Sequence, residues 1–93
     1  MNLRDIKKDI MYVLNAFIED CDAVATVNPK ASDMALGELF DQAVDLYNDL
    51  MDKVSAKVEG NKKAYFNCLR KELLEKTEAL YSKLSEEIRA TQN

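Results

Sequence analysis

The apolar positions of this chain recur at steps of three and four, and they do so in three separate runs. Leu3, Ile6, Ile10, Val13, Leu14, Phe17, Cys21 and Val24 form the first. Such spacing places side chains on one face of an α-helix and predicts a helix over about residues 2–26. Met11, Ile18 and Ala25 widen its stripe to about 160° when residues are set at about 100° intervals. A seam with one partner helix needs less, so this helix is expected to touch two neighbours. Leu36, Leu39, Phe40, Ala43, Leu46, Tyr47, Leu50, Val54 and Val58 form the second stripe, with Val44 and Met51 on one margin. They predict a helix over about residues 32–59. Phe66, Leu69, Leu73, Thr77, Leu80, Leu84 and Ile88 form the third, over about residues 62–90, with Leu74 and Tyr81 at its margin. Its steps lie nearer an eleven-residue repeat than a heptad, which predicts a nearly straight rod.

Two breaks separate the runs. At the first, Pro29 cannot continue a helix and drives Asn28 toward an extended backbone. Either Asn28 caps the second helix with Pro29 at its first position, or Ser32 caps it with Asp33 in the first turn. At the second, Gly60 suits a left-handed helix terminus and Asn61 suits a cap. Gly37 marks either a loose first turn or a close helix approach. Rods of roughly 36–45 Å joined by short turns make an antiparallel, up-down-up three-helix bundle, an all-α fold in one domain. The widths of the stripes suggest that a second copy completes the core, as a homodimer.

Composition fits this picture. The chain has 93 residues, 47% of them hydrophobic and 32% charged, with two glycines and one proline, too few for the turns of a β-rich fold. A domain of this size hides only roughly 60–65% of its unfolded surface, so an uncovered apolar stripe matters to its stability. The net charge of −4 disfavours a generic polyanion binder. A basic start (Arg4, Lys7, Lys8), the apolar run Ile10–Ile18 and Ala23-Val24-Ala25 mimic a secretory leader. Asp5, Asp9, Asn15, Glu19, Asp20 and Asp22 contradict it, and the run is too short to span a bilayer.

Chemistry is sparse. There is no histidine, hence no histidine-dependent triad, helical zinc motif or di-iron signature. Two isolated glycines build no phosphate loop. Cys21 and Cys68 form no metal motif, and free thiols in a reducing cytoplasm are the simplest reading. Cys21 lies within the first stripe, whereas Cys68 falls off the third. No enzyme activity, cofactor or metal site is therefore expected.

Two charge features remain. Asp33, Glu38, Asp41, Asp45, Asp49 and Asp52 lie on the second helix with no basic residue among them. The ridge Asp41, Asp45, Asp49 and Asp52 is either a solvated face, one facing basic residues within the bundle, or a docking ridge for a basic partner. A straight helix cannot wrap a calcium ion with these groups. Lys53, Lys57, Lys62, Lys63, Arg70 and Lys71 form a basic cluster, the only feature that points toward nucleic acid, although Glu72, Glu75 and Glu78 follow it at once. Tyr12 projects away from the first stripe. With Met11 it is a candidate contact surface, or it is simply exposed.

Leu3-Arg4-Asp5-Ile6-Lys7-Lys8-Asp9-Ile10, Ala16-Phe17-Ile18-Glu19-Asp20-Cys21 and Lys63-Ala64-Tyr65-Phe66-Asn67 together resemble short uncharacterised bacterial helical proteins. The resemblance implies a bacterial, cytoplasmic protein and carries no activity or site residues. The leading expectation is a non-enzymatic protein–protein interaction or assembly module. The alternatives are a nucleic-acid-associated regulator using Lys53–Lys71 and a small-molecule carrier with a helix-lined cavity.

Overall fold

The computed structural model describes residues 3–31, 33–56 and 59–91, with side chains from Asp5 onward. The expectations placed on Asn2, Ser32, Lys57 and Val58, and on the side chains of Leu3 and Arg4, lie outside the described residues. The chain is an all-α three-helix bundle in which each helix packs against the other two: α1 (Leu3–Val27), α2 (Asp33–Ser55) and α3 (Lys62–Ala90). It is a rod, 52 × 18 × 16 Å.

The predicted stripes are the core. Ile6, Ile10, Leu14 and Phe17 of α1 meet Leu50 and Val54 of α2, all essentially without exposure. Phe66, Leu69, Leu73, Leu80 and Leu84 of α3 close the third side. Full burial of each such side chain is worth about 1.5–3 kcal/mol against leaving it in water. Thr77 sits within this stripe, and its Oγ1 is buried with no hydrogen-bond partner.

Direction follows from the bridges between helices. Asp9–Arg70 and Asp20–Tyr81 are each 61 residues apart and Asn28–Thr91 is 63 apart, so α1 and α3 run parallel in one register. Lys53–Glu72 and Gln42–Lys83 have numbers that add to the same total, 125, so α2 runs antiparallel to α3. That is the expected up-down-up order.

α2 begins at Asp33, the later of the two starts the sequence allows, and ends earlier than expected. Asn28 does not cap it. The Asn28 backbone N–H donates to the Val24 carbonyl at 2.9 Å and so continues α1. The Asn28 side-chain oxygen instead accepts from Lys30 N–H in a local turn, and its amide donates to Thr91 Oγ1 at 2.7 Å. At the other end α2 stops at Ser55, four residues before the expected Glu59. The Tyr65 hydroxyl donates to the Lys53 carbonyl at 2.9 Å, and Ala56 N–H donates to the same carbonyl at 3.3 Å. This acceptor is thereby taken by a tertiary contact and by a tightened last turn.

The second joint therefore spans residues 56–61, longer than a Gly60-Asn61 break. Gly60 lies at φ 93°, where an L side chain is strained. Asn61 caps α3 as its sequence suggests, Oδ1 accepting from Ala64 N–H at 3.1 Å. Gly37 is helical and a Cβ there would meet nothing within 4 Å, so it marks no close helix approach.

Candidate functional site: the outer groove between α1 and α2

Phe40 does not join the core as its stripe suggests; it is 45% exposed. Met11 on α1 is 43% exposed, and Ala25 is exposed as well. Ile18, Val44, Tyr47 and Met51 are half-buried, and Ile18, Tyr47 and Met51 rest on the core from outside. At about 100° per residue, Met11, Ile18 and Ala25 lie on the flank of α1 that turns toward α2. Phe40, Val44, Tyr47 and Met51 lie on the flank of α2 that turns toward α1. The two registers given above set Ile18 level with Tyr47, Ala25 with Phe40, and Met11 near Met51. These residues form the floor of one shallow apolar groove along the outside of the α1/α2 pair.

Asp22 stands beside the floor on α1, with Asn15 two turns before it. Glu19 on α1 and Asp41, Asp45 and Asp52 on α2 are exposed on the outward backs of their helices. Lys7 and Lys8 lie at the end of the groove nearest the α2 C-terminus.

The aspartate ridge of the sequence is thus divided. Asp41, Asp45 and Asp52 face solvent. Asp49 turns toward α3 and meets Lys53 at 3.0 Å, while Lys53 also reaches Glu72 at 3.0 Å and Glu72 meets Lys76 at 3.6 Å. The hydrogen bonds to Glu72 and Asp49 push the Lys53 ammonium above its usual range.

The basic cluster is divided too. Lys53 points into the α2/α3 seam, whereas Arg70 turns to the opposite flank of α3 and meets Asp9 at 2.6 Å. Lys62, Lys63 and Lys71 are exposed. Met11 and Tyr12, neighbours in sequence, part company: Tyr12 is 70% exposed and lies toward the α3 side, level with the exposed Leu74.

Two turns further along α1, the α1/α3 seam is closed by a specific pair. Tyr81 donates to Asp20 Oδ2 at 2.6 Å and meets the Phe17 ring edge-on, with centroids 4.9 Å apart at 89°. Burial, and then the bond to Asp20, push the Tyr81 phenol up to about 12. Burial raises the Cys21 thiol, and Asp20 and Asp22 add to this, which leaves it a protonated, apolar filler. Cys68 is exposed.

Among the described residues no group of three Cys, Asp or Glu is placed to hold a metal ion, and no helix is long and apolar enough to cross a membrane. A cleft of about 450 Å³ between Val24, Val27, Pro29 and Ile88 opens at one end of the rod. A second, of about 240 Å³, lies between Gln42, Leu46, Lys76 and Lys83. Both are open to solvent. The chain matches no family model, no curated protein and no solved structure.

Proposed function

We propose that this protein is a non-enzymatic helical interaction module that docks another protein surface in the outer α1/α2 groove. The observation that carries the reading is the uncovered apolar floor, with Phe40 and Met11 each more than two-fifths exposed between half-buried neighbours. Large apolar side chains grouped on one face are the usual form of a protein contact site. Dispersal of Lys53 and Arg70 to opposite flanks of α3 weakens the nucleic-acid alternative, which needs one basic face.

The test uses a probe in the groove. Cys68→Ser removes the exposed thiol, and Ala25→Cys carries an environment-sensitive fluorophore. Native mass by light scattering is followed alongside the fluorophore as concentration is raised and as extract of the native host is added. A rise in mass with a blue shift of the probe supports docking. If the mass remains that of one chain and the probe does not move under either condition, the reading fails. A dimer formed by the chain alone identifies the occupant as a second copy.

A further inference from the structure

Resting on that reading, we infer that the outer face of α1 is covered by a second copy of this chain, whose α1 runs the opposite way across a twofold axis at Asn15. Lys8, Met11, Asn15, Ile18, Asp22 and Ala25 follow one another at steps of three and four. At about 100° per residue this spacing makes one continuous seam, of the kind along which two helices pack. The seam lies on the outside of the bundle. Ile18 is half-buried and the other five residues are exposed. Ile6, Ile10, Leu14 and Phe17 already fill the core, so α1 carries a second face that the bundle leaves uncovered.

The order of the polar residues along the seam chooses the occupant. Lys8, Asn15 and Asp22 stand seven positions apart on one line: a cation, a neutral amide and an anion. Turned end for end, that line is its own complement. A twofold axis at Asn15 sets Lys8 level with Asp22 of the second copy, because their numbers add to 30, and sets Asn15 level with its own counterpart. Met11 and Ile18 add to 29, so the methionine of each copy meets the isoleucine of the other beside those charges. An amide in the middle of such a seam fixes register. Among the described residues, neither Lys8 nor Asp22 joins an ion pair of the bundle, so both are open to an outside partner.

Other occupants fit less well. A copy running the same way sets Lys8 against Lys8 and Asp22 against Asp22, and like charges across a seam repel. A wholly basic or wholly acidic helix matches one end of the line and opposes the other.

The experiment follows native mass by light scattering over a concentration series. The native chain should reach twice its single-chain mass. Lys8→Glu and Asp22→Lys should each weaken the dimer at least about tenfold, which is about 1.4 kcal/mol. The two variants mixed in equal amounts should associate as the native chain does, since every facing pair is then opposite in sign. The double variant, Lys8→Glu with Asp22→Lys, should dimerise for the same reason. A short bismaleimide then reads the direction in a Cys68→Ser background. Asn15→Cys should crosslink in pairs. Ala25→Cys, held roughly 30 Å from its counterpart at 1.5 Å per residue, should not. These positions are exposed, and unchanged helicity by circular dichroism shows that the variants are folded.

A mass that stays at one chain overturns the inference, and docking then stands only if host extract moves the fluorophore at Ala25→Cys. A dimer that ignores both charge exchanges, that fails to recover in the mixture, or that crosslinks through Ala25→Cys in place of Asn15→Cys overturns it as well. The docking reading survives those outcomes if the dimer moves the fluorophore and falls if it does not.

Discussion

Along α3, the side chains of Arg70, Glu72, Tyr81 and Lys83 each reach a definite partner on α1 or α2, at 2.6–3.0 Å. The outer groove between α1 and α2 is made of other material: methionine, isoleucine, valine, alanine and aromatic side chains. Directional bonds choose one register and resist sliding. Apolar contact is indifferent to small shifts, and a thioether adapts to several shapes. The α3 seams are thus suited to holding the bundle together, and the groove to accepting something from outside.

The sharpest way to break this comparison is to truncate one residue from each side of α2. Leu50 is fully buried, and Leu50→Ala should cost about 2–5 kcal/mol in a denaturant titration. Phe40→Ala, with nearly half its side chain already in water, should cost less than half as much. Equal losses would mean that Phe40 is a core residue and the groove is part of the scaffold. A smaller effect, of opposite sign, is expected within the α3 stripe. Thr77→Val replaces a buried, unpartnered hydroxyl by a methyl group of similar size. It should raise stability by about 1 kcal/mol, and a loss would show that the hydroxyl is satisfied in solution.

The smallest effect concerns the α1/α3 seam at high pH. The folded-state pKa of Tyr81 lies above the ordinary value of 10.0. The stabilisation from its proton is therefore full below pH 10.0 and declines as the pH rises toward about 12. The melting temperature of the native chain should fall through that window faster than that of Tyr81→Phe. Ultraviolet titration should show a phenol ionising near pH 12 that is missing from Tyr81→Phe. Parallel pH profiles for the two chains would mean that neither burial nor the bond to Asp20 holds the proton on Tyr81.

Much of the scaffold was legible in the residue pattern. The limits of α3, the cap at Asn61 and the left-handed Gly60 follow from rules that act over a few residues, and such rules need no tertiary knowledge. The end of α2 was not legible, because the Lys53 carbonyl is taken by a phenol twelve positions away in another helix. The fate of Phe40 was hidden for a similar reason. Periodicity shows that it shares a stripe with Leu39 and Ala43, but only the placement of α1 shows that this margin stays open. The aspartate ridge was visible as a ridge. Its division into Asp49, held by Lys53, and the solvent-facing Asp41, Asp45 and Asp52 depends on where α3 lies.

The shared register of α1 and α3 also bears on how this chain can change by insertion and deletion. One residue added within either helix rotates everything beyond it by about 100° and would part several bridges at once. Residues 56–61 lie between the helices, outside that phase relation. Doubling the length of a loop costs only about 0.6 kcal/mol. Length differences among natural versions of this chain should therefore collect in that joint, while the rods keep their residue count and the groove its depth.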